Sequence, residues 1–184
     1  MIRTVEWRNG CVVMIDQRLL PGQEVYRVYR HHRDVAQAIR QMVVRGAPAI
    51  GVAAAMGVAL AARRLKARGM EEGLERACGL LLAARPTAVN LAHAVERVLR
   101  RPDAVEDEAR AIHRFEVSAC DAMARHGAPL LAGARSVMTY CNTGHLATGG
   151  AGTALGVIRA ARAAHVWVPE TRPLLQGARL TAWE

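Results

Sequence analysis

The chain has 184 residues, a formal net charge of +9, and 52% hydrophobic but only 4% aromatic content. That length suits one medium domain or two small ones, with a core of Ala, Leu and Val in close-packed helices. The charge raises nucleic acid as a partner. However, the arginines are scattered, no basic run is interleaved with aromatics, and Lys66 is the single lysine, so nucleic acid ranks last behind a small phosphorylated molecule held by arginine forks.

In chain order, "VEWRNGCVVMID" reads as a β-hairpin, with Asn9-Gly10 as its two-residue turn. "EVYRVYR" reads as a further strand. From Asp34 the period becomes helical, and Val35, Ile39, Met42 and Val43 fall on one face. "RGAP" interrupts it: Gly46 permits a turn and Pro48 suits a helix start. The next helix is expected to run to about Arg68 and stop at Gly69. Its uncharged run, Gly46 to Ala62, is shorter and richer in Ala and Gly than the ~20 strongly apolar residues a membrane span needs. It reads as a buried helix, and no membrane association is expected.

"RACGLLLAA" continues as helix and stops before Arg85-Pro86. Thr87 is placed to cap a helix with Leu91, Val95, Val98 and Leu99 inward, and Asp103 to cap another that ends near His126-Gly127. The pattern changes near Gly133. "SVMTYC" reads as a strand, Thr153 to Ala164 as a helix, "HVWVPE" as a second strand, and "RPLLQGARLTAWE" as the start of a helix. Strands roughly 30 residues apart with a helix between them fit a parallel α/β unit. The expected class is therefore α/β: an N-terminal α+β domain, a hairpin plus helices, over 1–132, then an incomplete Rossmann-like unit over 133–184. Two strands fall short of an ordinary sheet of about five or six, so either a partner completes the sheet or the chain is the front part of a longer protein, the reading the topology favours.

Of the four cysteines, Cys11, Cys78 and Cys120 lie in strand or helix patterns and are expected to pack. No C-x-x-C pair or zinc spacing occurs, so no metal is expected. "MIRTVEWRNG" lacks the apolar core of a signal peptide, which fits a reduced, cytoplasmic protein. Chemistry concentrates in a few places. Arg45, Gly46 and Ala47 open a helix with small residues beside a guanidinium; this is either an anion site or a tight helix–helix turn with Arg45 in solvent. Arg85 stands in a similar position before a proline, where it either faces an anion at a helix start or marks a plain helix boundary, the reading local sequence favours. Cys141 sits at a strand end, where open α/β sheets place ligands, followed by "GHLATGGAG". That loop has neither dinucleotide nor GK[ST] spacing. Cys141 is either a reactive thiol or a buried small hydrophobe. Gln176, in the first turn of the helix expected after a second strand-end loop, is either a substrate contact or an exposed helix-start residue.

"VVRGAPAIGVAAAMGVALAA", "RPTAVNLAHAVERV", "CNTGHLATGGAGTALGVIRAA" and "ETRPLLQGARLTAWE" occur in this order. Together they resemble the methylthioribose-1-phosphate isomerase family, which is related to regulatory subunits of translation initiation factor 2B and to ribose-1,5-bisphosphate isomerase. The resemblance implies an aldose–ketose isomerase of methionine salvage that acts on 5-methylthioribose 1-phosphate, as a homodimer without metal or nicotinamide cofactor. It implies Cys141 as the catalytic cysteine. Arg45, Gly46 and Ala47 match the phosphate-binding turn, Arg85 a second substrate-binding arginine, and Gln176 a substrate contact. The alternatives are an isomerase of 5-deoxyribose 1-phosphate or ribose 1,5-bisphosphate, and a non-catalytic subunit like those of the initiation factor. Two loop positions depart from the family, His145 and Ala151. The family's catalytic aspartate and its Asn-Lys pair are expected beyond Glu184, so this stretch alone is expected to be inactive or nearly so. Exposed strand edges are expected to make it poorly soluble.

Overall fold

The computed structural model describes residues 2–65 and 70–184. Strand β1 (Val5–Arg8) turns through Asn9 and Gly10, at φ 50° and 72°, into β2 (Cys11–Ile15), as a two-residue hairpin turn with positive φ at both positions demands. β3 (Tyr26–Tyr29) pairs with the other edge of β2, giving an antiparallel β1-β2-β3 sheet with Val5 opposite Met14 and Val12 opposite Tyr29. The buried Trp7 donates its indole N–H to Glu106 Oε1 at 2.9 Å and so ties this sheet to the helices.

Helix α1 (His32–Arg40) starts before Asp34 and leaves Met42 and Val43 outside it. Met42 adopts φ 60°, its N–H bonds Ile39 O, and the Val43 N–H bonds Ala38 O. This is a Schellman termination with Met where glycine is usual, so the helical periodicity ran past the true end. α2 (Ala47–Ala62) is buried from Ala49 to Ala61 and is the centre of the main core. Small side chains let neighbours approach closely: a Cβ on Gly51 would stand 2.9 Å from Asn90 O. The helix ends at Ala62; the expected stop at Arg68–Gly69 lies outside the described residues.

α3 (Met70–Leu82), α4 (Val89–Leu99) and α5 (Val105–Gly127) pack around α2. Neither expected cap holds. The N-caps are Ala88 and Ala104, without side-chain bonds, because backbone turns close first through Ala88 N–H to Arg85 O and Ala104 N–H to Arg101 O. Leu91, Val95 and Val98 are buried, whereas Leu99 is 37% exposed. α5 carries Glu106, Asp107 and Glu108 in its first turn and Arg125 and His126 in its last, matching its dipole.

The two expected C-terminal strands shrink to β4 (Val137–Met138) and β5 (Val166–Trp167), parallel, with Thr139 N–H extending the ladder to Trp167 O. α6 (Ala154–Ala160) is shorter than Thr153–Ala164, because Arg162 at φ 53° closes a second Schellman turn through Ala163 N–H to Ile158 O. The last element is a π-helical turn, Gly177–Thr181, rather than a regular α-helix. A small core of Ile15, Leu20, Leu146 and Leu180 joins the N-terminal sheet to the loop after β4 and to this turn. That contact positions the candidate site. Among the described residues, no helix is long and apolar enough to cross a membrane.

Candidate functional site

Gly46 caps α2 at φ 88° and ψ 131°, a conformation side-chain-bearing residues rarely take. A Cβ there would lie 2.5 Å from both Cα and O of Ala147. The "RGAP" turn and the "GHLA" turn therefore pack backbone to backbone, which sequence spacing alone could not reveal. Arg45 immediately precedes this junction. Its Nη2 donates to Asn142 Oδ1 and reaches Asn142 O at 3.5 Å. Burial lowers the guanidinium's pKa, while the Cys141 side chain and the Glu184 carboxylate nearby favour its charge. Of the two readings of the turn, Arg45 in open solvent is the one the structure does not adopt.

Cys141 lies just past β4, half-buried, with φ 59°. Its carbonyl accepts the Thr181 hydroxyl at 2.7 Å. The next residue, the buried Asn142, joins the parts of the site. Its Nδ2 donates to Glu184 Oε1 at 2.6 Å and to Thr181 Oγ1 at 3.2 Å, and its Oδ1 receives Arg45. Glu184 also accepts backbone N–H bonds from His145 (2.6 Å) and Leu146 (3.3 Å). Burial pushes its carboxyl up, but the His145 side chain, the Asn142 amide and the two backbone donors outweigh it and hold the pKa below the ordinary carboxylate range. Carboxylate, amide and guanidinium thus form one relay whose middle member, Asn142, follows Cys141 in the chain.

A cleft of about 310 Å³ opens next to Arg45, lined also by Gln17, Arg18, Gln41, Met42, Leu174, Gln176, Arg179 and Leu180. Of its three arginines, two are committed. Arg18 is paired with Asp16 and bonded to Gln41. Arg179 donates to the carbonyls of Gln17, Arg18, Leu20 and Leu174. Arg45 keeps a buried Nε with no partner among the described residues, and Gln176, 9% exposed, keeps a buried Oε1 in the same state. Such orphaned groups are rare in folded proteins and mark places where a ligand or water completes the bonding. Gln176 is therefore not the exposed helix-start residue that local sequence allowed; it is the buried N-cap of the π-helical turn.

The structure therefore brings together Arg45, Gly46, Ala47 and Cys141 at one junction, with Gln176 sharing the cleft beside Arg45. It does not bring Arg85 there: Arg85 is half-buried in the turn before α4 and does not line this cleft. His145 and Ala151 line a second cleft of about 260 Å³ with His113, Gly149 and Gly150. Asn142, Gln17 and Glu184 are members of the site that residue-by-residue reading missed. Asn142 stood next to the singled-out thiol, the only local signal there was. Among the described residues, no group of three or more His, Cys, Asp or Glu could hold a metal ion.

Residues 43–184 match the initiation factor 2 subunit family. Methylthioribose-1-phosphate isomerase of Geotalea daltonii is 53% identical over 201 aligned positions, covering 99% of this chain and 58% of that protein. The enzyme of the same name from Geobacter sulfurreducens is 52% identical with the same coverage. The crystal structure of 5-methylthioribose 1-phosphate isomerase from Pyrococcus horikoshii OT3 superposes with a TM-score of 0.93 at 41% identity, over 100% of this chain and 57% of that one. Translation initiation factor eIF-2B subunit delta from A. fulgidus superposes with a TM-score of 0.89 at 40% identity, over 100% and 58%. The chain spans a little under three-fifths of the length of these relatives. A matching family profile, a shared fold and about half of all positions identical to the isomerases lead to one assignment: this chain belongs to the initiation factor 2 subunit family.

Proposed function

We propose that this protein is an aldose–ketose isomerase that converts 5-methylthioribose 1-phosphate to 5-methylthioribulose 1-phosphate in methionine salvage. The observation that carries this reading is Arg45, bonded to Asn142 next to Cys141 in the chain and keeping a buried Nε with no partner among the described residues, at the start of α2 beside the Gln176 cleft. Arg45 and the first-turn N–H groups after Gly46 take the charge of the phosphate, because a guanidinium fork and a helix start both favour an anion. Ala47 stands in that first turn and is small enough to let the phosphate approach. Gln176 contacts the substrate. Arg85 enters the proposal on the resemblance alone.

The phosphate ester on C1 blocks the anomeric carbon, so the ring must open with acid–base help before hydrogen moves from C2 to C1. Substrate and product are isomers, so the reaction balances without a co-reactant. Cys141 serves as one proton-transferring group. A second is required, and among the described residues the cleft lining contains arginines and glutamines but no carboxylate, so we place that group outside this lining. A homodimer in the cytoplasm belongs to the same proposal.

The test is formation of the ketose from 5-methylthioribose 1-phosphate by the 184-residue chain, beside a version extended through the downstream reading frame and its Cys141→Ser variant. Turnover by the extended protein that drops at least ~100-fold on substitution supports the reading. No turnover by either form overturns it. The near-equal fit to the eIF-2B delta subunit would then put a non-catalytic assembly role first.

A further inference from the structure

We infer that Gln17 reads the sugar: its amide oxygen accepts a hydrogen bond from a ring hydroxyl of the bound sugar phosphate. This rests on the sugar-phosphate reading above and adds a residue to it. Gln17 follows β2 and is only 2% exposed. Its backbone N–H donates to Val43 O at 2.9 Å, and its carbonyl accepts Arg179 Nη2 at 2.8 Å. Its side-chain Nε2 donates to Leu146 O at 2.7 Å. That bond fixes the amide, since a flip would set two carbonyl oxygens against each other. Oε1 is thereby committed as an acceptor. It is buried and has no partner among the described residues.

Three residues that line one cleft thus each hold a buried polar atom with no partner among the described residues: Arg45 Nε, a donor, and the Oε1 atoms of Gln17 and Gln176, both acceptors as placed. A bare phosphate dianion can satisfy the donor but repels an amide oxygen. A phosphate ester carrying hydroxyls satisfies both kinds, which is the chemistry of a sugar phosphate. Gln17 is held for this role from behind. The preceding residue, Asp16, is fully buried and clamped by Arg18 and Arg27 at 2.8 Å and 2.6 Å.

The experiment compares ribose 1-phosphate with cyclopentyl phosphate by calorimetry. The two share a five-membered ring and a phosphate monoester, and the second lacks hydroxyls. The purified protein should bind ribose 1-phosphate roughly tenfold more tightly. Gln17→Met should lower that preference at least about threefold, leaving the part Gln176 supplies, with cyclopentyl phosphate within about twofold. Gln17→Glu also loses the bond to Leu146 but keeps an acceptor oxygen. It should keep the hydroxyl preference while weakening both esters together through its charge. Preference absent from the unsubstituted protein, undiminished in Gln17→Met, or lowered alike in both variants overturns the proposal; the last outcome would make Gln17 a scaffold residue. Binding of neither ester to the unsubstituted protein overturns the sugar-phosphate reading itself.

Discussion

Replacing Gly46 with alanine tests whether the junction between the "RGAP" and "GHLA" turns is as tight as its geometry requires. At φ 88° and ψ 131° an L-residue is strained, which costs about 1–3 kcal/mol. The new Cβ would also stand 2.5 Å from Ala147 Cα and O, backbone atoms with no rotamer to yield. Pushing that turn away is overpacking, about 1–3 kcal/mol more. It would disturb the bonds of Thr4 to His145 O, of Gln17 to Leu146 O and of Glu184 to two backbone N–H groups. The sum is about 4 kcal/mol. Gly133→Ala is the control: Gly133 sits at φ 78° with nothing within 4 Å of a built Cβ, so only the backbone term of about 1–2 kcal/mol applies. Urea unfolding followed by circular dichroism should place Gly46→Ala about 2 kcal/mol below Gly133→Ala. Equal destabilisation, within about 0.5 kcal/mol, would refute the packing of the two turns.

Four further outcomes are expected. Asp16 has its carboxyl lowered from 3.8 to about 2, chiefly by the Arg18 hydrogen bond and also by Arg27, against the opposing effect of burial. A folded-state pKa below the unfolded one stabilises above the unfolded value, so about 2 kcal/mol should be present above pH ~4 and lost as pH falls towards 2. Unfolding curves of Asp16→Asn should lack that slope, and an unchanged slope would remove Asp16 as its source. Glu184→Gln turns an acceptor of two backbone N–H groups into a mixed donor and acceptor; it should cost about 2–3 kcal/mol in urea unfolding, and a neutral result would break the relay from Glu184 through Asn142 to Arg45. Iodoacetamide at neutral pH, read by mass spectrometry, should label the half-buried Cys141 before Cys78, whose thiol burial pushes up to about 11, or the fully buried Cys120; early labelling of Cys78 would contradict this. Arg45→Lys keeps the charge without the fork and should weaken phosphate-ester binding about tenfold in calorimetry, whereas unchanged affinity would place the phosphate elsewhere.

Local chemistry carried much of the architecture. Asn9-Gly10 names its hairpin turn, Gly46 and Pro48 mark where a helix must begin, and the unbroken Ala/Val run after them makes a helix that can only be buried. The strand–glycine–helix run around Cys141 was likewise legible, because short β-prone runs and glycine loops are encoded within a few residues. Helix ends were less legible. Met42 and Arg162 take the left-handed conformation that usually advertises itself as glycine, and backbone turns displaced Thr87 and Asp103 from capping.

What only the tertiary structure decided is the assembly of the candidate site. Arg45 meets Asn142, Gln17 meets Leu146 and Glu184 meets His145, each across a long stretch of chain. No local pattern encodes such pairs, because the packing of α2 and the small Leu20–Leu180 core brings them together. Conversely, Arg85 carried the same local signature as Arg45, but the fold does not bring it to the cleft. A guanidinium beside a helix start is a capability that sequence can supply. Whether it faces a thiol, a cleft or water is set by which elements pack against it.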